Sequence, residues 1–168
     1  MMAIAKQFRE LIIRPALEAI GLWSQAAENL VLGTAIHESG NFKYIRQVGG
    51  GPALSFYQIE PATADDICRR YLRTRSAVAH NIAKACWPHL ANPPLFSHLA
   101  MKEINNLLLT DLRFSTILCR LKYYLAKPPL PDADDIENLA AYWGAHYQSQ
   151  SNPVKMNQWA TSYRAHAT

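Results

Sequence analysis

Ser24-Gln-Ala-Ala-Glu-Asn29-Leu-Val-Leu-Gly-Thr-Ala-Ile-His-Glu38-Ser-Gly40 is the stretch on which the fold turns. Its spacing predicts a helix from about Ser24 to Glu38, with Ser24 or Asn29 near the start. A short polar side chain there can accept a hydrogen bond from an otherwise unpaired backbone N–H. Gly40 suits the stop, because the residue after a helix often adopts a left-handed conformation that glycine takes without strain.

The same helical period recurs on both sides, and no stretch alternates convincingly with period two. Ile4, Phe8, Leu11, Ile12 and Pro15 fall on one helical face, with Pro15 breaking or restarting that helix. Gln47 to Leu54 contains Gly49-Gly50-Gly51-Pro52 and reads as a loop or short irregular hairpin. Pro61 suits a first helical position, Thr63-Ala-Asp-Asp66 resembles a capping box, and a helix follows through Tyr71. Pro88, Pro93 and Pro94 interrupt the segment from His80 to Ser97. Phe114, Ile117, Leu118, Leu121, Tyr124 and Leu125 form an apolar stripe that ends at Lys127-Pro-Pro-Leu-Pro131. Asp132 or Asp134 can cap the next helix, whose core face is Ile136, Leu139, Ala140 and Trp143. A last helix from Asn152 or Pro153 carries Met156, Trp159, Ala160 and Tyr163. The sum is one all-α domain over residues 1–168, of seven or eight helices, with one glycine-rich insertion.

The 168 residues suffice for one substantial core. Hydrophobic residues make up 49% and charged residues 18%, which excludes a disordered chain. The formal charge of +4 and pI near 9.0 favour anionic polymers such as nucleic acid, teichoic acid or peptidoglycan without choosing among them. No recognised nucleic-acid readout motif is present, so no specific nucleic acid is expected as partner. Charges come too early after Met1 for a secretory signal, and no window has the roughly 18 apolar residues of a membrane span. Cys68, Cys86 and Cys119 are an odd, widely spaced set and read as reduced buried thiols. A metal site at Cys86 and His89 with His80 or His98 lacks a second ligand pair, so no metal or other cofactor is expected.

Three ordered pieces carry the chemistry. The first is Ala35-Ile-His-Glu38-Ser39-Gly40. The second is Gly51-Pro-Ala-Leu-Ser55-Phe-Tyr57-Gln58-Ile-Glu60-Pro61-Ala-Thr63, and the third is Leu139-Ala-Ala-Tyr142-Trp143-Gly144-Ala. Together they resemble the soluble lytic transglycosylase family of the lysozyme-like superfamily. That family places Glu-Ser at the end of a core helix, then a Gly-Leu-Met-Gln-like turn before Pro-x-Thr, then Ala-Ala-Tyr-Asn-Ala-Gly. The likeness spans residues 28–163, with 1–23 as an N-terminal helical extension. Arg46-Gln47-Val-Gly49-Gly50-Gly51-Pro52-Ala53 further resembles phage particle proteins of this superfamily. The sequence departs from the family where Ser55-Phe56-Tyr57 replaces Gly-Leu-Met and where Trp143-Gly144 replaces Asn-Ala.

The resemblance implies a lysozyme-like fold with the glycine-rich loop near the active site. It also implies cleavage of the β-1,4 bond between N-acetylmuramic acid and N-acetylglucosamine in peptidoglycan. Glu38 would be the general acid and then the base. A helix C-terminus disfavours a carboxylate, and apolar neighbours such as Ile36 and Phe42 would desolvate it, so the group can stay protonated near neutral pH. Ser39, Ser55, Tyr57, Gln58, Tyr142 and Tyr147 are the expected substrate-binding residues. Tyr142 is expected to face Glu38, while Trp143 is weighted toward packing. Glu60 is a possible second carboxylate, which would make the enzyme a lysozyme-type hydrolase instead. A further alternative is a non-catalytic virion or DNA-ejection protein on the same fold. Without a signal peptide, the expected route is synthesis in the cytoplasm, association with a virion and other virion proteins, and action on glycan strands in the bacterial periplasm.

Overall fold

The computed structural model describes residues 4–150 and 152–167. Eight helices organise the described residues, and pairing between extended segments is limited to isolated bridges. Helix α1 runs through 4–19, α2 is Gln25–Glu38, α3 runs through 61–71 and α4 is Ser76–Cys86. A short 3₁₀ turn, Phe96–His98, precedes α5 (Met101–Thr110), α6 (Leu112–Tyr124), α7 (Ile136–His146) and α8 (Pro153–His166). The chain is all-α. No helix among the described residues is long and apolar enough to cross a membrane.

Helix α2 is buried without a break from Ala27 to Ile36. A helix covered all round needs neighbours all round, and α1, α6, α7 and α8 supply them. The Ser24 hydroxyl accepts the Ala27 N–H at 3.1 Å, so Ser24 rather than Asn29 opens the helix. Gly40 takes φ +60° after its end. Gly33 is required in mid-helix for another reason: a Cβ there would lie 2.1 Å from Cζ2 of the buried Trp159 on α8. The missing side chain lets the two helices approach.

The buried face of α1 differs from expectation. Ile4 and Leu11 are exposed, Ile12 and Pro15 are half-buried, and the core face is Ala5, Phe8, Ile13, Ala16 and Leu17. Arg9–Ile13 is π-helical, which inserts one extra residue into the turn. Ile13 therefore follows Phe8 on the core face, where an unbroken α-helix would place Ile12. Pro15 restarts α-helical geometry over Arg14–Ala19.

Other elements correct the expected details. Pro61 takes the first turn of α3 with Glu60 as its flanking residue, so Thr63 lies inside the helix and forms no capping box. Asp65 and Asp66 instead pair with Arg69 and Arg70 one turn on. Helix α4 is continuous to Cys86, and the interruption begins only at Trp87. In α6 the stripe holds through Leu121, but Tyr123 is buried while Tyr124 and Leu125 are exposed. The helix ends at Tyr124 and the chain turns away there. Asp135 caps α7 by accepting the Asn138 N–H at 3.0 Å, in place of Asp132 or Asp134. Leu139, Ala140 and Trp143 of α7 and Trp159, Ala160 and Tyr163 of α8 are buried as their spacing predicts.

One charged cluster lies under the start of α2. The Glu28 side chain is wholly buried, with Arg14 at 2.8 Å and Arg9 at 3.0 Å. The Trp23 indole N–H also donates to it, at 2.8 Å. Burial alone would raise this carboxyl, but the donors from Arg14, Trp23 and Arg9 outweigh it and hold the group near pH 2. The three cysteines are buried free thiols. Burial pushes Cys68 up to about 12 and raises Cys86 and Cys119 as well. Cys86 faces the core while His89 is exposed.

Candidate active site

The last residue of α2 is Glu38. Its backbone position, at the negative end of the helix dipole, disfavours a carboxylate. The residue is half-buried, and burial raises its pKa above the ordinary carboxylate value. Two donors partly oppose that shift, and both reach Oε1. Trp143 Nε1 of α7 donates at 3.1 Å, and Gln148 Nε2, just past α7, donates at 2.6 Å. The ammonium groups of Lys122 and Lys155 act in the same direction. Glu38 is thus a carboxyl biased toward the neutral form but supplied with contacts that can receive its charge.

Glu38 opens onto a cleft of about 480 Å³. One wall is the hairpin that follows α2, through Tyr44, Gln47, Val48 and Ala53. Tyr147, Gln148 and Ser149, just past α7, also line the cleft, as do Gln58, Glu60 and Thr63 on the run into α3. Lys122 of α6 also lines the cleft. Its Nζ donates to the Tyr147 carbonyl at 2.7 Å and sits 3.8 Å from the centre of the Tyr147 ring. Burial lowers the Lys122 pKa, with Cys119, Glu38 and Glu60 acting against that shift.

Backbone strain sets the cleft's shape. Gly40, Asn41 and Phe42 follow Glu38 in succession with φ near +60°. For Phe42 this costs on the order of 1 kcal/mol. The ring is held edge-on against Phe8 and Phe56, at centroid distances of 5.1 and 5.3 Å. Ser39 fixes the turn from beneath: its hydroxyl donates to the Ala35 carbonyl and accepts the Phe42 N–H, both at 2.6 Å. The chain then returns as an irregular hairpin, with bridges Arg46–Leu54 and Leu54–Ile59. Ser55 at φ +68° and Gln58 at φ +48° close its second turn.

Of the residues expected at the site, the structure gathers Glu38, Gln58, Glu60 and Tyr147 around one cleft. Gln58 uses its amide N–H on the Ser55 carbonyl at 2.8 Å. The Tyr147 hydroxyl points inward and donates to the Tyr57 carbonyl at 2.7 Å, so its ring rather than its hydroxyl borders the cleft. Ser39, Ser55 and Tyr57 do not reach the cleft. All three are buried, and the Tyr57 hydroxyl is spent on Thr116 at 2.9 Å. They shape the two turns from behind.

Tyr142 departs from expectation. Its hydroxyl donates to the Pro128 carbonyl at 2.9 Å, and it lines a different groove. Neighbouring positions on a helix point about 100° apart, and on α7 it is Trp143 that takes the direction of Glu38. Trp143 is fully buried, so it packs and donates at once. Ile36 faces the core, and the left-handed turn packs Phe42 into the aromatic cluster with Phe8 and Phe56.

Gln148 and Lys122 went unforeseen. Gln148 lies in an irregular segment 110 positions from its partner and carries no periodic signal. Lys122 did leave one. It continues the i, i+4 row Phe114–Leu118, both wholly buried, and so places a cation at the end of an apolar row. Among the described residues, no three His, Cys, Asp or Glu side chains converge as a metal centre requires. No protein-family model, curated protein or solved structure matches the chain.

Proposed function

We propose that this chain cleaves the glycan strands of bacterial peptidoglycan as a lytic transglycosylase of lysozyme-like fold. The observation that carries this reading is Glu38 itself. It is a carboxyl at a helix C-terminus, raised by burial, that borders an open cleft with Gln58 and Glu60. A glycosidic bond is cleaved when a protonated carboxyl supplies its proton to the leaving oxygen. Ser55 adds support. It stands where the family resemblance has glycine, and its φ of +68° is the conformation that glycine favours.

In this mechanism the Glu38 proton passes to the oxygen bridging N-acetylmuramic acid and N-acetylglucosamine, and the bond from that oxygen to the muramic C1 breaks. Glu38 is now a carboxylate. Trp143, Gln148 and the Lys122 charge stabilise it, which makes the proton easier to give. The carboxylate then takes the proton of the same sugar's 6-hydroxyl as that oxygen bonds to C1 and closes a 1,6-anhydro ring. Tethering supplies an effective concentration of about 10⁵ M or more for well-oriented groups, so the route needs no held water.

A second reading has its own observation. Glu60 lines the same cleft, exposed and without an ion-pair partner among the described residues. If it orients a water, the enzyme is a hydrolase of the lysozyme type. The Arg46–Ala53 run, with its likeness to phage particle proteins, supports a virion-associated enzyme acting on the periplasmic cell wall. Mass spectrometry of digested peptidoglycan separates the readings. Anhydro-muramic ends are expected. Reducing ends carrying oxygen from labelled water would establish hydrolysis, and an intact polymer would leave a non-catalytic particle protein.

A further inference from the structure

Tyr142 leads to a second groove, of about 550 Å³, lined by the end of α3, the C-terminal turn of α6 and the segment that follows it. Its cations are Arg75, Arg120 and Lys127, and no aspartate or glutamate lines it. Arg120 is the unusual member. Its residue is 93% buried, since only 7% of its surface is accessible. Buried charges are ordinarily paired. Its Nε donates to the Leu22 carbonyl at 3.0 Å, yet among the described residues no carboxylate pairs with it and its two terminal nitrogens bond to nothing. Burial lowers its pKa from the ordinary arginine value. The Arg75 guanidinium lies 4.3 Å from the Tyr71 ring centre, and Arg120 lies 5.7 Å from that of Tyr124. Arg75 Nη1 donates to the Tyr71 carbonyl at 3.1 Å and to the Thr74 hydroxyl at 3.2 Å, which fixes the guanidinium and leaves Nη2 and Nε without a protein partner among the described residues. A guanidinium held on a ring in this way can present its remaining edge donors to phosphate.

An apolar slot of about 220 Å³ adjoins this groove and shares Tyr71 and Tyr124 with it. The pairing of the two spaces selects the ligand. An acidic peptide or a carboxylated glycan would use the cations and leave the slot unfilled. A nucleotide strand can use both, with the phosphate on the cations and a flat base in the apolar slot beside the tyrosines. Nearby on the chain, Arg69 and Arg70 are paired with Asp65 and Asp66, while the exposed Arg73 has no carboxylate partner among the described residues.

We propose that this face binds single-stranded nucleic acid without sequence preference, with Arg75, Arg120 and Lys127 on phosphates and Tyr71 and Tyr124 on a base. The proposal does not depend on what Glu38 does, because none of these residues lines that cleft.

Fluorescence anisotropy with an end-labelled oligo-thymidine strand tests it on the full chain. The wild type should bind, and its affinity should fall steeply as salt rises. The double variant Arg75→Gln with Lys127→Gln changes two exposed side chains and should keep the wild-type melting curve while losing about tenfold or more in affinity. Tyr124→Ala, half-exposed in the structure, should lose about five- to tenfold through stacking. An abasic phosphodiester strand of equal length should compete poorly, and polyglutamate more poorly still. The proposal is overturned if the strand fails to bind, if neither variant weakens binding, or if polyglutamate or the abasic strand competes as well as oligo-thymidine.

Discussion

Trp143 Nε1 donates a hydrogen bond to Glu38 Oε1 at 3.1 Å, so the largest side chain of the α7 core face also tunes the buried carboxyl. The contact favours the charged form of Glu38, against burial, which favours the neutral form.

Trp143→Phe should therefore raise the Glu38 pKa further. Phenylalanine fills most of the indole volume but offers no N–H, so the carboxylate loses a donor while Gln148, Lys122 and Lys155 remain. If Glu38 is the acid, the alkaline limb of the pH–kcat/KM profile moves to higher pH, because the proton is retained longer as pH rises. An unmoved or acid-shifted limb would contradict this role for the indole.

Glu28 makes stability sensitive to acid. Its pKa falls from an ordinary 4.5 to about 2 on folding. A depressed carboxyl contributes stability above its unfolded pKa, and that stability drains away as pH falls from about 4.5 toward 2. The shift corresponds to roughly 3 kcal/mol when fully expressed. Urea unfolding between pH 6 and pH 2 should show a progressive loss that Glu28→Gln largely abolishes, since the variant starts from a lower plateau. A parallel pH dependence in the two proteins would show that Glu28 is not the group responsible.

Gly33→Ala should destabilise the chain even though alanine is the better helix former. The gain in helix propensity is about 1 kcal/mol. Against it stands a Cβ only 2.1 Å from the Trp159 indole, which is closed in by the core. Overpacking of this kind costs about 1–3 kcal/mol. A lower urea midpoint is expected, and a raised midpoint would mean that α8 moves away from α2 without cost.

These elements also show where sequence reading succeeds. Ser24, Glu38 and Gly40 marked both ends of α2 because capping and left-handed stops are local physics. The buried faces of α7 and α8 followed from period alone. The face of α1 did not, because the π-helical turn at Arg9–Ile13 shifts the register and has no fixed sequence signature. Glu38 and the cleft residues Gln58 and Glu60 were legible through the ordered motifs, and Tyr147 as an aromatic residue just beyond the third. The exchange of roles between Tyr142 and Trp143 was not, since it depends on how α7 is rotated against its neighbours. Gln148 depends on the path of an irregular segment, which leaves no periodic trace.

The most direct test of the central claim compares wild type with Glu38→Gln on purified peptidoglycan, following release of soluble fragments by mass spectrometry. Glutamine keeps an Oε1 able to accept from Trp143 and Gln148, so the variant should melt like the wild type, but it has no proton to give. The expected result is anhydro-ended fragments from the wild type and at least a 10²-fold lower rate from the variant, the low end of what a positioned acid contributes. Wild-type fragment release by a folded Glu38→Gln protein would contradict the account.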